Sequence, residues 1–424
     1  MRFLIVVQIV LGIFLHLALV GCGDSKDSQS IESTQVEQDK ELAQKSEMTQ
    51  TKDFASVREL LGLQANSSAF YVLKGKVGDK EQVAYFSLLH RESDTGDEIF
   101  GGQDSQESPL YAFIELPNVW NEALGVDEYI SFALNSQKMT LSKDERGLLH
   151  ISGVWQSDFG DKAQQSEEKQ WEQKSYFKDM TFEFIQDSSL PLSEVVFTQG
   201  KYSESLKRAD EEIVSFESSY IKPIVLPLHT KLESKIIERL NAQFAQGAKD
   251  VPELQQKLKD LAKQDFRTYS QEEEKFNAEY QQSYSVSFID SYILTFNTFS
   301  YVYAGGAHGV WGNEMESYSL HNGERLSNKI EDIFTLNEQN KNALLRTLTQ
   351  KLDSPKYKER LFEGSLPLKA LPQTFFITSQ GINFVWHTYE IAPYVQGEIS
   401  VSITYEDLKP FANPASPYAY LFGL

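Results

Sequence analysis

Residues 301–312 read "YVYAGGAHGVWG". Aromatic and β-branched residues run into Gly305-Gly306, and His308 sits between Ala307 and Gly309. A strand that meets a glycine pair can turn sharply, because glycine takes positive φ at no steric cost. Upstream, "YSVSFID" and "YILTFNTFSYVYAGG" read as two strands around a short turn at Asp290-Ser291. His308 is then either a working residue held out on the turn or merely the first residue beyond it. As a catalyst it would need an orienting carboxylate and a nucleophile, or further metal ligands. Glu314 and Glu316 come soon after it, and His321 and His387 lie elsewhere, but none has the i, i+4 spacing of a helical zinc site. The expected role for His308 is a fixing hydrogen bond or a place in a contact surface.

Working outward from the turn, Lys231 to Gln246 carries a helical stripe of Leu232, Ile236, Ile237, Leu240 and Phe244, closed by Gly247. Asp250 and Pro252 open a second helix running to Phe266, and Ser270 to Glu273 forms a capping-box pattern that predicts a third. "SYIKPIVLPL" reads as a strand with proline at its edge. Asn337 to Leu352 is a helix with Leu344, Leu345, Leu348 and Leu352 on one face. "TFFIT", "INFVWHTY" and "EISVSITY" are strands, and "YEDLKPF" closes as a short helix.

Between Phe54 and Gly200 a short helix-like "DFASVRELLGL" precedes recurrent β signals: "AFYVLKGKV", "QVAYFSLL", "LYAFIEL", "YISFALN", "KMTLS", "LLHISGVW" and "DMTFEFI". The composition turns charged near Ser203 to Ile213, where a boundary is expected. The fold class is therefore α+β: an N-terminal antiparallel β-meander or partial barrel, then a C-terminal antiparallel sheet packed by helices. The expected organisation is a leader over 1–21, a tether over 22–53, a β-rich domain over 54–205, an α+β segment over 210–295 and a final domain over 296–424.

The leader "MRFLIVVQIVLGIFLHLALVGC" carries one charge, Arg2, then an apolar run to Val20. Its Leu19-Val20-Gly21-Cys22 resembles the lipobox of bacterial lipoproteins, which implies lipidation of Cys22, the single cysteine, and cleavage before it. An uncleaved transmembrane anchor is the other reading of the same run. The resemblance implies a membrane partner through a lipid anchor and a place in the cell envelope, at the periplasmic face or outer membrane. With Gly23 after the cysteine, the outer membrane is favoured. Gly23 to Lys52 has no aromatic residue and no proline, and it is too polar to fold alone.

The formal net charge is −21, and removing the leader takes away only Arg2. Such a chain repels nucleic acid and anionic lipid and attracts cationic partners. No Gly-x-Ser-x-Gly elbow, phosphate-binding loop or dinucleotide fingerprint occurs, so no cofactor and no catalytic residue is assigned. Asp94, Asp97 and Glu98 lack the order of a calcium loop and read as a solvated acidic loop, and no metal site is expected. Trp311, Trp386, Tyr389 and Tyr394 are candidates for an aromatic contact face. Trp386, in an alternating strand, is expected in the core.

Three ordered blocks carry a resemblance. Tyr301, Tyr303, Gly305, Gly306, Ala307, His308 and Gly309 form the first, with Ala304 where threonine is usual. Asn322-Gly323, Leu326, Ile333 and Phe334 form the second, and Tyr389 to Tyr394, "YEIAPY", the third. Together they resemble the RsiV-like C-terminal domain, found in anti-sigma-V factors and beside peptidoglycan deacetylases of the PdaC type. Ser218 to Gln282 resembles, more loosely, the domain that precedes it. The resemblance implies an α+β fold outside the cytoplasm, an association with the cell wall and, in the anti-sigma-V branch, reception of lysozyme. It puts Tyr303, Gly305, Gly306, His308, Tyr389 and Tyr394 forward as binding residues. No deacetylase motif is present, and the leader at Met1 leaves no cytoplasmic segment in the expected layout. The partner is accordingly expected to be a cationic protein such as lysozyme or a cell-wall glycan. An envelope enzyme, an accessory factor in peptidoglycan modification and a purely structural lipoprotein stay open as alternatives.

Overall fold

A computed structural model of the protein describes residues 54–64, 66–90, 110–121, 126–133, 139–155, 177, 179–207, 213–271 and 276–424. The leader, Cys22, the tether and the acidic loop at 91–98 lie outside these residues. The N-terminal part holds helix α1 (Phe54–Leu61) and strands β1 (Ser67–Val77), β2 (Lys80–His90), β3 (Leu110–Asn121), β4 (Val126–Ala133), β5 (Met139–Lys143), β6 (Leu149–Val154), β7 (Thr181–Gln186) and β8 (Glu194–Lys207). Next in the chain are β9 (Ile213–Ile224), α2 (Ser234–Phe244), α3 (Val251–Gln271), β10 (Ala278–Ile289), β11 (Ile293–Ala304), β12 (Val310–Ser319) and β13 (Arg325–Leu326). The chain ends with α4 (Ile330–Ile333), α5 (Glu338–Leu352), α6 (Pro355–Lys358), β14 (Thr374–Ile377), β15 (Gly381–Trp386), β16 (Ile399–Thr404) and α7 (Tyr405–Leu408).

β1 is a fork. One edge pairs with β2, while the other is shared, Ser67–Tyr71 with β8 and Leu73–Val77 with β7. From the fork the main path runs β13-β12-β11-β10-β9-β8-β1-β2-β3-β4, and β7, β6 and β5 branch off it. The branch and the β1–β4 arm enclose one core, in which α1 contributes Val57 and Leu61 against Tyr71, Phe86, Ile114 and Phe184. Trp155 is fully buried there, edge-on to Phe177 and Phe182. The arms do not close into a barrel.

β9 and β10 pair in parallel, Phe216–Ile221 beside Ala278–Ser283. Parallel neighbours need a long crossover, and α2 and α3 are that crossover. They cover one face of the sheet: Leu240, Phe244, Leu254 and Leu258 pack on Phe197, Phe296 and Tyr318. The opposite face takes the second sheet, β14-β15-β16, with α5 behind it. Ile293 and Met315 enter that core with Phe375, Phe384, Trp386 and Val401. Ile293 through Thr298 are all buried, as expected of a strand covered on both faces.

Two elements differ from the sequence reading. The third helix predicted at Ser270 does not occur among the described residues; α3 runs on to Gln271 as one helix. Tyr269 is buried against Phe216, so the apolar stripe holds α3 together past Phe266, and the Ser270 hydroxyl donates back to the Arg267 carbonyl instead of capping a new start. The charged stretch from Ser203 is the polar outer half of β8, paired with β9 up to Lys207–Ile213. Asp250 does cap α3, accepting from the Glu253 N–H at 2.8 Å, and Asn337 caps α5.

Asp265 on α3 fixes that helix to the sheet by accepting hydrogen bonds from the buried Ser218 hydroxyl and from Tyr220. Removing it leaves a buried hydroxyl unpaired, which costs about 1–3 kcal/mol. Asp265→Ala is expected to lower the unfolding free energy by that amount in urea titration, with an unchanged m-value.

Candidate functional site

The β11–β12 hairpin turns at Gly305–Gly309, between Ala304 and Val310. Gly305 has φ +85 and Gly306 φ +99, and a Cβ on Gly305 would fall 2.7–3.0 Å from the Phe276 ring. Gly309 is required for a different reason: a Cβ there would lie 2.4–2.6 Å from the end of the Tyr301 ring. The Tyr303 hydroxyl donates to the Gly306 carbonyl at 3.1 Å and steadies the loop from within. His308 is thereby pushed out to solvent.

The loop after β15 comes to meet it. Tyr394 stacks on the His308 ring, centroids 3.9 Å apart and planes 20° apart, and donates its hydroxyl to the Gly309 carbonyl at 2.9 Å. Tyr389 lies 5.8 Å from Tyr394 at 33°, with its hydroxyl 3.3 Å from His308 Nε2. Tyr389 is 57% exposed and has φ +70. A bulky residue in that region costs about 1–3 kcal/mol unless its surroundings fix it. Here the Tyr389 N–H donates to the Ala392 carbonyl at 3.0 Å. Two motifs about 80 residues apart in the chain thus form one shelf of three rings, His308 and Tyr389 exposed and Tyr394 half-buried; Tyr303, Gly305 and Gly306 shape its support rather than its surface.

The other aromatic candidates divide. Trp386 is buried in the core, while Trp311 is half-buried beside Phe299. Neither Glu314 nor Glu316 orients His308. Glu316 instead accepts from the Tyr284 and Tyr318 hydroxyls and pairs with Arg325 at 3.6 Å. Its charge, after the effect of burial, helps to push both phenols well above the ordinary tyrosine range.

Among the described residues two histidines have a buried carboxylate on Nδ1: His229, 2.9 Å from Glu194, and His387 near the shelf. For His387 the surroundings are these. Its Nδ1 lies 2.8 Å from Glu398 Oε1, and the other Glu398 oxygen accepts from Asn313 Nδ2 at 2.8 Å. Its Nε2 lies 2.8 Å from the Thr374 hydroxyl, and its backbone N–H donates to Glu390. Hydroxyl, imidazole and buried carboxylate stand in the order of a nucleophile, base and orienter. The same contacts also suit a structural role. The hydrogen bond to Glu398 raises the His387 pKa; burial opposes it, and the charges of Glu398, Glu390 and Glu314 add to the rise. In its protonated form the ring donates from both nitrogens and holds the Thr374 hydroxyl. The result is a clamp joining β14, β15 and the start of β16 to β12. Sequence spacing does not bring His387 and Glu398 together, because they lie 11 residues apart across an irregular loop.

Among the described residues no group of three His, Cys, Asp or Glu side chains is placed to hold a metal ion, and no helix is long and apolar enough to cross a membrane.

Two family models match the chain. One, a protein of unknown function (DUF3298), matches residues 331–406; the other, deacetylase PdaC, matches residues 206–311. The chain therefore contains a DUF3298 and a PdaC-type domain, with the hairpin turn at the end of one match and the Tyr389–Tyr394 loop in the other. Solved structures of two DUF3298 family proteins are similar. One, from Bacteroides fragilis, is 18% identical, covering 53% of this chain and 96% of that one, with a TM-score of 0.37. The other, from Pseudomonas aeruginosa, is 15% identical, covering 51% and 94%, with a TM-score of 0.33. No curated protein matches the chain.

Two outcomes are expected. Gly309→Ala displaces Tyr301 and with it the carbonyl that Tyr394 holds, so the variant should unfold at a lower temperature in calorimetry. The His387 pair has a defined pH direction. A folded pKa above the unfolded value of about 6.5 stabilises the fold fully below that value, and the contribution is lost as pH rises through the folded pKa. Imidazole NMR should show His387 titrating above an unfolded reference, and Glu398→Gln should lower that midpoint and flatten the loss of stability towards alkaline pH.

Proposed function

We propose that this protein is a binding module of the bacterial cell envelope whose ligand lands on the His308–Tyr389–Tyr394 shelf. The observation that carries the reading is the meeting of two distant motifs in an exposed ring stack, with His308 held by Tyr394, Tyr389 and backbone. Rings that are large, rigid and open on one side are what anchors of interfaces look like. The DUF3298 and PdaC-type domains support an envelope role. A lipid on Cys22 and the polar stretch after it would place the folded part at a distance from the membrane surface.

The net charge of −21 steers the chain towards a cationic ligand. The likeness to the RsiV-like domain suggests a basic envelope protein of the lysozyme type as the first probe. Full-length protein in detergent, titrated calorimetrically with lysozyme at two salt concentrations, is expected to show saturable binding that survives moderate salt. Tyr389→Ala and His308→Ala should each weaken it at least tenfold. Heat that vanishes with salt would reduce lysozyme to non-specific charge attraction. Failure of lysozyme and of cell-wall glycan fragments alike would overturn the reading.

A further inference from the structure

We propose that Thr374, His387 and Glu398 form a catalytic triad that hydrolyses short, uncharged carboxylic esters, with Thr374 as nucleophile, His387 as general base and Glu398 as its orienter. This activity goes beyond the binding role and does not depend on it.

Strand register delivers the three side chains. β14 pairs with β15 at Thr374 and Val385, and β15 pairs with β16 at Trp386 and Ile399. Side chains two residues apart share a face of a strand, so His387 projects on the side of Val385 and Thr374. One step beyond the Trp386–Ile399 pair it stands opposite Glu398. Hydroxyl, imidazole and carboxylate thus form a row across three neighbouring strands, with Thr374 Oγ1 2.8 Å from Nε2 and Glu398 Oε1 2.8 Å from Nδ1. Both contacts are as short as transfer of a proton from nucleophile to oriented base requires. Asn313 holds the second carboxylate oxygen at 2.8 Å, and the His387 N–H is fixed on Glu390 at 2.8 Å. Other histidines have only part of this set. His229 has Glu194 at 2.9 Å but no hydroxyl on Nε2 among the described residues. His308 has a phenol on one nitrogen and a backbone carbonyl on the other.

Fastening alone does not require such a row. Apolar residues of similar volume hold strands together as well as a buried ion pair does, yet here a carboxylate only 4% exposed is kept beside an imidazole. The reacting end of the row is the open one: the His387 side chain is 30% exposed, and Thr374 is half-buried next to the exposed Gln373. β12 passes the imidazole at Gly312 with no side chain, where a Cβ would lie 3.7 Å from Nδ1 and Cε1. The charges that act most on His387 are those of Glu398, Glu390 and Glu314, all acidic. They repel an anionic acyl group, and the half-buried hydroxyl admits only a short one. In the first step neutral His387 takes the Thr374 proton at Nε2 as Oγ1 bonds to the acyl carbon. The bond from that carbon to the alcohol oxygen breaks, and the alcohol leaves with the proton from His387. Water then attacks the acyl-Thr374 ester, its proton passes through His387 back to Oγ1, and the carboxylic acid departs.

The experiment is hydrolysis of p-nitrophenyl acetate by the full-length protein in detergent, with acid-quenched samples mapped by mass spectrometry. Hydrolysis should be saturable, and the quenched protein should carry an acetyl group on Thr374. A protonated imidazole cannot take the hydroxyl proton, so kcat should rise with pH through the same midpoint that imidazole NMR gives for His387. Thr374→Val and His387→Gln should each lower kcat roughly a hundredfold or more. Thr374→Ser, which keeps a hydroxyl, should stay within about tenfold of the parent protein. Glu398→Gln should lower kcat and move the pH midpoint downwards. Thermal unfolding shows which variants are folded; if Thr374→Val is not, the Thr374→Ser rate, the acetyl position and the pH midpoint decide. Absence of saturable hydrolysis in the parent protein would overturn the triad and leave these contacts as a clamp. Turnover that persists in folded Thr374→Val, or acetyl groups found only on other side chains, would overturn it as well. Lysozyme titration tests the shelf separately, so either reading can fall while the other stands.

Discussion

The architecture depends on one constraint: the inner part of the β11–β12 pair, Ile293 to Thr298 on β11, is covered on both faces. Phe296 and Tyr318 belong to the core under α2 and α3, while Ile293 and Met315 belong to the core under β14–β16. A strand pair sealed on both sides has little freedom of register, since a one-residue slip would exchange the two apolar sets. The tip of the hairpin inherits that rigidity. His308 stands at a defined place because the strands behind it cannot slide, and the same second sheet that seals them also delivers Tyr389 and Tyr394.

Contacts tie the second sheet to the rest at two levels. Near the shelf, Glu398 accepts from Asn313 of β12 and from His387 at the end of β15. At the opposite end of β15, the turn at Ser379-Gln380 donates to the Pro117 carbonyl, with Gln380 Nε2 at 3.2 Å. Pro117 lies where the pairing of β3 with β4 is interrupted between Leu116 and Trp120. A β-bulge breaks the ladder locally and leaves backbone groups to be satisfied elsewhere. The C-terminal sheet supplies that partner, so the region without a family match and the DUF3298 region share a hydrogen-bonded seam.

Much of the fold was legible because its signals are local. The turn at Asp290, the helix of Leu344, Leu345, Leu348 and Leu352, and the alternation of Ile399, Val401 and Ile403 are patterns over a few residues. β8 was not legible, because its outer half, "KYSESLK", has no apolar alternation and is a strand only through its pairing with β9. The parallel step from β9 to β10 is equally non-local. For the site, the residue types of the shelf were readable, since glycine pairs and proline-flanked tyrosines announce surface turns. Its geometry was not: nothing in spacing brings Tyr394 onto His308.

The two histidines show why residue type underdetermines role. His308 carries the more conspicuous sequence context, yet its ring is fixed by a backbone carbonyl and two phenols, with no carboxylate bonded to it. His387 sits in an ordinary strand ending and has the carboxylate, but that carboxylate is 4% exposed and also bonded to Asn313. A buried anion with two donors favours the charged form of the imidazole, and the ring's other nitrogen lies 2.8 Å from the Thr374 hydroxyl. The exposed histidine is therefore the one able to meet a ligand at the shelf, and the half-buried one holds the surface on which that ligand would rest.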